Sequence, residues 1–536
     1  MPAVPAKGGG AGGGLVTLDV AGGISTGLQE NRYWTEILKE DLGIVLNLVP
    51  HDTDAINTMM AARNITADVV IWNDAQLENA IRAGLLLNLD DRRDKLPNVF
   101  ANAGTSIQYV RDNISNGTGG LYGLRGNVGT MLPSSRFLEG PYLRWDFYKE
   151  LGYPELTNLE DYLPLMRKML DAHPTNDNGQ RMYGFALFSD WDGTFMQNAW
   201  WIGPTHEGKW SPGGFLEIDL GDLSVGTILD DNSSYKKALQ LLYDANQMGL
   251  VDPNSPSMGF SQELELLEAA RVLFWPGYIA NSGRLTTEQE AAGMGYRMIP
   301  FANERIGGGT IQYVGSDIIS ISKNSKNVDK ALEYVDYLYS PDGVWNLVNG
   351  RRGVKWDLDQ NGEPYLTDLG WDIQYNNKEF PNGGLNGEGR YYVNFAGLGD
   401  MIHPVYKRNF NPDADWADKR GTLVTDQDSP LDRDWKTKMN AAGDGDYFRK
   451  NNRVLEVPFA PMNPAPENIQ MINSRIGDTV TTMSWQMVFA RNQAEFDSLW
   501  ADMVQRANGM GVAASNEWYL TEWNRARAAA SKYIPK

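Results

Sequence analysis

The chain contains no cysteine in 536 residues. This absence excludes disulfide bonds, thiolate zinc sites and any reaction that uses a cysteine nucleophile. It is compatible with a reducing cytosol, and equally with an exported protein whose stability does not depend on crosslinks. The sequence also lacks an uninterrupted apolar run of about eighteen residues, so it predicts no transmembrane helix.

Histidine is scarce, with four residues at positions 51, 173, 206 and 403. They are far apart and show no HExxH spacing, which gives little support for a histidine metal centre or a Ser-His-Asp triad. No Walker A loop for nucleotide phosphates is present either. The sequence therefore predicts no catalytic residues and no cofactor, with calcium as the one metal left open below.

Basic residues are fewer than acidic ones, with 48 basic against 68 acidic side chains and a net charge of -20. Such a surface repels nucleic acid and anionic membranes at long range, so a neutral ligand is expected and no nucleic-acid partner. The length predicts two or three domains. Residues 1–14 are rich in glycine and are interpreted as a flexible linker or a scar of cloning.

The first ninety residues alternate as a parallel α/β sheet does. Apolar runs at 15–20, 44–49 and 68–72 predict buried strands, and helical spacing at 33–42 and 54–63 predicts the helices between them. In such sheets ligands bind beyond the carboxyl ends of the strands, where Trp72 and Asp74 lie.

The rest of the chain is predicted to be richer in helices. Thr157 and Glu160 have capping-box spacing before a helix that Pro164 is expected to kink. Further helices are predicted at 233–249 and 261–270 and from 469 to 533, whereas glycine, proline and asparagine between 372 and 466 predict long ordered loops.

An acidic stretch after Trp356 resembles a calcium loop. Asp357, Asp359, Asn361, Gly362 and Asp368 occupy ligand positions of an EF-hand, but Pro364 and the Asn-Gly dipeptide favour a hairpin. We therefore predict a hairpin and keep calcium as the alternative. The run at 175–179 is a similar acidic turn.

Aromatic residues are abundant, with 17 tryptophans, 24 tyrosines and 17 phenylalanines. Many of them lie beside glycine, proline, asparagine or aspartate rather than within apolar stripes. A flat ring with polar neighbours suits the C–H face of a sugar, and arginine or asparagine can bind its hydroxyls. The predicted ligand-binding residues are Trp72, Asp74, Asn127, Tyr142, Arg144, Trp191, Trp200, Trp201, Trp275, Tyr278, Arg352 and Trp356.

Several segments together resemble family 1 of the extracellular solute-binding proteins of bacterial ABC importers, in particular its LipO-like and oligosaccharide-binding lipoprotein group. The segments are GLYGL at 120–124, GPYLRWDFYKELGYP at 140–154, TNLED at 157–161, HPTNDNG at 173–179, ALEYVDYLYSPDG at 331–343 and GVKWDLDQNG at 353–362. Their order and spacing carry the resemblance, which covers the chain from about residue 15 to its end.

The resemblance implies an α/β fold of the periplasmic-binding-protein type, with two hinged lobes and a ligand cleft between them. The lobes are predicted at 15–135 with 306–400 and at 136–305 with 401–536. The implied function is a non-catalytic, monomeric receptor that captures an oligosaccharide and delivers it to membrane permease subunits. Export and a lipid anchor on the outer face of the cytoplasmic membrane are implied by kinship alone.

Two other functions fit the acidic, aromatic-rich composition. A glycoside hydrolase needs two carboxylates about 5–10 Å apart, and the sequence offers many acids without a way to choose a pair. A cell-surface glycan adhesin would bind without closing and without a transporter. The importer receptor remains the leading hypothesis because the family resemblance supports it.

Overall fold

The computed structural model describes residues 14–22, 26–49, 53–126, 128, 141–276, 285, 289–290, 292–310, 317–375, 378–391, 398, 403–406, 424, 428–441, 443–460 and 462–533. The chain divides into two compact units. Unit 1 contains residues 1–132, 311–419 and 530–536, and unit 2 contains residues 133–310 and 420–529. The assignment of functional lobes and their boundaries stays a prediction.

Unit 1 is built around a mixed sheet with helices packed on it. Its strands are β1 (Val16–Ala21), β2 (Gly27–Leu28), β3 (Ile44–Val49), β4 (Val69–Trp72), β5 (Leu124–Arg125), β13 (Ile318–Ile321), β14 (Trp356–Leu358) and β15 (Pro364–Leu366). Its helices are α1 (Tyr33–Leu42), α2 (Thr53–Ala61), α3 (Asp74–Arg82), α4 (Pro97–Asn102), α5 (Gly104–Asn113), α11 (Val328–Tyr337), α12 (Pro341–Asn349), α13 (Asp368–Tyr375) and α14 (Glu388–Tyr391), with a 3-10 helix at Leu89–Lys95.

The main sheet of unit 1 has the order β2-β3-β1-β4-β13-β5. Strand β1 runs parallel to β3 and β4, in register from Val16 opposite Ile44, whereas β13 is antiparallel to β4 and β5. The apolar runs that fill these strands are buried on both faces, as expected for strands covered by helices. The predicted alternation of strands and helices in the first ninety residues is confirmed.

Unit 2 is dominated by helices. Its helices are α6 (Trp145–Glu150), α7 (Tyr162–Ala172), α8 (Gln197–Ile202), α9 (Ser234–Gln247), α10 (Phe260–Glu268), α15 (Pro430–Met439), α16 (Asp444–Lys450), α17 (Glu467–Val488), α18 (Gln493–Gly509) and α19 (Val512–Ala530), with 3-10 helices at Leu159–Asp161, Pro204–His206 and Ser255–Ser257. Its strands are β6 (Tyr142–Arg144), β7 (Lys209–Trp210), β8 (Leu216–Asp219), β9 (Val225–Thr227), β10 (Phe274–Trp275), β11 (Tyr296–Met298), β12 (Ile306–Thr310) and β16 (Val454–Phe459).

A small antiparallel sheet in unit 2, in the order β10-β6-β11, positions several predicted site residues. Trp275 lies opposite Tyr142, and Tyr296 lies opposite Arg144. Because side chains alternate between the faces of a strand, all four point to the same face. Within the described residues, every helix of both units is too short or too polar to serve as a membrane span.

Two predictions about unit 2 need correction. The capping box lies one residue later than predicted, since Asn158 caps the 3-10 helix and the Asp161 side chain accepts hydrogen bonds from the Thr157 and Asn158 backbones. Pro164 falls in the first turn of α7, where its missing N–H needs no partner, so it does not interrupt the helix.

The stretch from 372 to 466 is also more regular than predicted. It contains α14, α15, α16 and β16 in addition to the end of α13. Ser429 caps α15, and Pro430 at the first position preorganises its start. Polar and glycine residues between these short elements masked their periodicity in the sequence. The helices predicted between 469 and 533 are confirmed as α17, α18 and α19.

Candidate functional site

Five rings of unit 2 form one group, which we call the aromatic cluster: Phe188, Trp191, Trp201, Phe260 and Trp275. The Trp191 ring centroid lies 4.3 Å from that of Phe260, 5.4 Å from that of Trp201 and 5.1 Å from that of Phe188. Phe188 in turn stacks on Trp275 at 6.1 Å with an interplanar angle of 9°. The structure thus brings three of the predicted site residues together.

The cluster passes from the core to the surface. Trp275 is 2% exposed and Phe188 is buried, while Trp201 and Phe260 are half-buried and Trp191 is 43% exposed. An aromatic side chain can bury about 150–250 Å², so covering the exposed part of the Trp191 ring with a ligand would be favourable. The outer rings offer flat apolar faces on which a ligand could stack.

The Trp191 turn is fixed by the aspartates on either side of it. Asp190 Oδ2 accepts a hydrogen bond from the Phe260 backbone N–H at 2.8 Å, at the start of α10. Asp192 accepts one from the first backbone N–H of α8 at 2.9 Å and one from the Trp485 indole at 2.7 Å. Burial raises the pKa of Asp192, and these hydrogen bonds oppose that rise. The turn therefore presents Trp191 on a preorganised backbone.

Trp200, next to Trp201 on α8, points into the core of unit 2 rather than toward the aromatic cluster. Its ring stacks on Phe195 at 4.7 Å and is 8% exposed within the main hydrophobic core of unit 2. Adjacent helical residues face about 100° apart, so one of the pair enters the core while the other reaches the cluster. The structure does not place Trp200 with the cluster.

Tyr142 and Arg144 lie on the same sheet face as Trp275, and both are buried. The Tyr142 hydroxyl donates to the Asp444 carboxyl, whose pKa burial raises to about 6. Arg144 Nε donates to Asp146 at 2.9 Å, and its guanidinium lies over the Phe147 ring. Both polar side chains therefore have protein partners in this structure.

Glu263 was not predicted from the sequence. It lies on α10 one turn after Phe260 and has no exposed surface. Neither carboxylate oxygen has a hydrogen-bond partner in the part of the chain that the structure describes. Burial raises the pKa of Glu263 to about 9, so the carboxyl is neutral at pH 7.

The predicted residues of unit 1 are mostly engaged in packing and ion pairs. Trp72 is fully buried at the end of β4. Asp74, in the first turn of α3, pairs with the buried Arg125 guanidinium at 2.7 Å. Trp356 is 2% exposed and its indole donates to the Gly350 carbonyl at 2.9 Å.

Arg352 pairs with Asp357, from guanidinium Nε to carboxylate Oδ1, at 2.6 Å. This ion pair lowers the pKa of Asp357. The remaining two predicted residues, Asn127 and Tyr278, lie outside the described residues. For all twelve, a role in ligand binding stays a prediction.

The acidic stretch after Trp356 forms the predicted hairpin. Strands β14 and β15 pair antiparallel with Trp356 opposite Leu366. Asp359 Oδ1 accepts the Asn361 and Glu363 backbone N–H groups at 2.8 Å, so this oxygen holds the turn together. Among the described residues, no group of three or more acidic or histidine side chains could hold a metal ion.

The sequence did not predict three residues of the site, namely Phe188, Phe260 and Glu263. A signal existed for Glu263, because it falls in register with Phe260, Leu264 and Leu267 on the apolar stripe of a helix. A charged residue on such a stripe indicates either a paired carboxyl or a functional one. Phe260 gave no signal beyond a glycine before it.

Comparisons with known proteins agree with this fold. Residues 161–345 match the family model of the bacterial extracellular solute-binding proteins, which confirms the resemblance. No curated protein sequence matches the chain. The matched family is described as extracellular solute-binding, and the similar structures are described as solute- or substrate-binding proteins of ABC transporters, as expected for the predicted non-catalytic protein.

The similar solved structures share the fold at low sequence identity. One is a solute-binding protein of Bifidobacterium longum infantis, described as HMO-binding and associated with an ABC transporter, at 16% identity and TM-score 0.55, covering 98% of this chain and 100% of that chain. Another is the Streptococcus pneumoniae substrate-binding protein FusA. Its EF-hand mutant with fructo-nystose has 16% identity, TM-score 0.55 and coverage of 96% and 100%. FusA with kestose has 15% identity, TM-score 0.53 and the same coverage. The predicted periplasmic-binding-protein-like α/β fold is confirmed.

Proposed function

We propose that the protein is the receptor of an ABC importer and that its ligand is an oligosaccharide. The match of residues 161–345 to the family model of the bacterial extracellular solute-binding proteins supports this proposal. The receptor releases the saccharide unchanged to the membrane permease subunits. In this proposal it acts as a monomer, held by a lipid anchor on the outer face of the cytoplasmic membrane.

The observation that carries the proposal is the aromatic cluster. Trp191 exposes 43% of its surface on a turn that two aspartates hold in place. A preorganised indole face matches the C–H face of a pyranose or furanose ring and loses little side-chain entropy on binding. Asp190 and the half-buried Trp201 supply a polar rim and a second ring beside it.

The ligand class has independent support from the similar structures. The Bifidobacterium protein is described as HMO-binding, and FusA was solved with fructo-nystose and with kestose. Because these proteins share only the fold with this chain, they support a saccharide ligand without identifying it. We expect a short neutral oligosaccharide, consistent with the net charge of -20.

The test is a panel of neutral oligosaccharides that includes kestose, nystose, lacto-N-tetraose and maltotriose. Binding should raise the melting temperature at millimolar saccharide and change tryptophan emission, because the binding site contains exposed indole. Isothermal titration then gives Kd. If no neutral saccharide in a broad panel changes either signal, the proposal is wrong. Saccharide cleavage during the titration would instead indicate a hydrolase.

A further inference from the structure

Glu263 differs from the other buried carboxyls of unit 2 in having no partner. Glu217, 7% exposed, accepts the backbone N–H groups of Ser234 and Tyr235 at 2.8 and 3.1 Å, so it caps the start of α9. Glu304 is bonded to His206 at 2.8 Å. A buried carboxyl that serves the fold is thus hydrogen-bonded here, whereas both oxygens of Glu263 lack a partner among the described residues.

The position of Glu263 links it to the aromatic cluster. Residues three apart on a helix share a face, so Glu263 lies directly below Phe260, whose ring is 4.3 Å from Trp191. Burial is the main cause of the raised pKa of Tyr296, and the Glu263 carboxyl adds to that rise. Tyr296 shares its sheet face with Trp275. Glu263 thus lies on the Phe260 side of α10 and within electrostatic range of Tyr296.

Leaving this carboxyl unpaired opposes folding. A buried polar group without a hydrogen bond destabilises the folded chain, and an apolar side chain of similar size would remove that cost. The next residue of the same stripe, Leu267, is such an apolar side chain and is fully buried. Packing alone would therefore favour an apolar side chain at 263, and the hydrogen-bonding capacity of the carboxyl is unused among the described residues.

We propose that Glu263 hydrogen-bonds a hydroxyl or acetamido group of the saccharide that stacks on the aromatic cluster, a role that rests on the function proposed above. A neutral carboxyl offers one O–H donor and one acceptor oxygen, which matches either group. The carboxyl has no exposed surface in this structure, so contact requires movement of its own side chain or of the half-buried Phe260 ring.

The experiment compares Glu263→Gln and Glu263→Leu with the wild type and with Glu265→Leu. Glu265 is an exposed carboxyl on the same helix and is the matched control. Thermal unfolding is measured without saccharide, and Kd is measured by isothermal titration with the tightest binder among kestose, nystose, lacto-N-tetraose and maltotriose.

Glu263→Leu should raise the melting temperature by about 2–4 °C and weaken binding by about 10-fold or more. Glu263→Gln keeps a donor and an acceptor, so its Kd should stay within about threefold of the wild type. Glu265→Leu should change neither quantity.

Two results would overturn the assignment while leaving the receptor function intact. One is wild-type affinity in Glu263→Leu, which would show that the saccharide does not use the carboxyl. The other is a lower melting temperature in Glu263→Leu, which would show that the fold depends on it. A wild type that binds none of the four saccharides or of a broader panel would overturn both the receptor function and the role of Glu263.

Discussion

In unit 1 the charged candidates are paired, whereas in unit 2 the candidates include exposed rings and one carboxyl without a partner. Asp74 pairs with Arg125, and Arg352 pairs with Asp357. In unit 2, Trp191 is 43% exposed, and Glu263 is buried without a hydrogen bond among the described residues.

The contrast shows why residue type alone is a poor guide to a binding site. A buried tryptophan such as Trp356 and an exposed one such as Trp191 both lie near aspartate and glycine in the sequence, yet only the second keeps a free face. An arginine next to a carboxylate is already satisfied and has less to offer a ligand. Exposure and pairing, rather than composition, distinguish Trp191 and Glu263 of unit 2 from Trp356 and Arg352 of unit 1.

The largest effect is expected for Trp356→Ala in unit 1. Removing a fully packed indole and its hydrogen bond to Gly350 should lower the free energy of unfolding by about 3–5 kcal/mol. Urea unfolding measures this loss. Saccharide affinity of the folded variant should stay within about threefold of the wild type, and a large affinity loss with unchanged stability would place Trp356 in a binding site after all.

A pH series sharpens the comparison for Glu263. Its folded-state pKa of about 9 lies above the ordinary glutamate value of 4.5, so the folded chain keeps a proton that the unfolded chain has lost. The free energy of unfolding should therefore fall as pH rises between about 5 and 8, by up to about 1.4 kcal/mol per pH unit from this group.

Glu263→Leu should lose this part of the pH dependence, and Glu265→Leu should keep it. Burial raises the pKa of Tyr296, and the hydrogen bond and ion pair with Asp146 raise the pKa of Arg144 against the opposing effect of burial, so neither group titrates between pH 5 and 8. Urea unfolding at pH 5, 6, 7 and 8 measures the slopes. Identical slopes in the wild type and Glu263→Leu would contradict the assignment of a neutral buried carboxyl.

Trp191→Ala in unit 2 should weaken saccharide binding by about 1–3 kcal/mol and change stability by less than about 1 kcal/mol. With 43% of its surface exposed, the ring contributes less packing than a core indole, so its removal leaves only a partial cavity. Calorimetry gives the affinity, and Trp191→Phe, which retains a stacking face, should recover part of it. Unchanged affinity in the alanine variant would show that the saccharide does not bind at the aromatic cluster.

The smallest effect is expected for Arg352→Ala in unit 1. Its ion pair with Asp357 is solvent-exposed, with 56% of the arginine side chain accessible, so the loss should be about 0.2–1 kcal/mol of unfolding free energy. Saccharide affinity should not change. A tenfold weaker Kd with the fold intact would instead support Arg352 as a ligand residue and would weaken the contrast between the units.

Much of the fold followed from local sequence patterns. The strands at Val16–Ala21 and Ile44–Val49 and the helix at Tyr33–Leu42 were predictable because burial on two faces or on one stripe leaves a clear period. The hairpin after Trp356 followed from Pro364 and Asn361-Gly362. The helices at Pro430–Met439 and Asp444–Lys450 were missed because short elements rich in aspartate and lysine carry little periodicity.

The candidate site was only partly predictable. Trp191, Trp201 and Trp275 were singled out as aromatic residues near glycine, proline, asparagine or aspartate in the sequence, although the structure places only Trp191 in a turn, with Trp201 on α8 and Trp275 on β10. Their grouping was not predictable, since the rings come from segments separated by up to 84 positions and meet through Phe188 and Phe260. The different directions in which Trp200 and Trp201 point depend on the phase of a six-residue helix, which the sequence does not define.

The sequence by itself determined the α/β class, the acidic surface, the absence of thiol chemistry and the family resemblance, because each depends on residue identity or on short-range periodicity. Only the tertiary structure decided which rings keep a free face and which carboxyl is buried without a partner. Those properties depend on which distant segments pack against each side chain, and packing between distant segments leaves no local pattern in the chain.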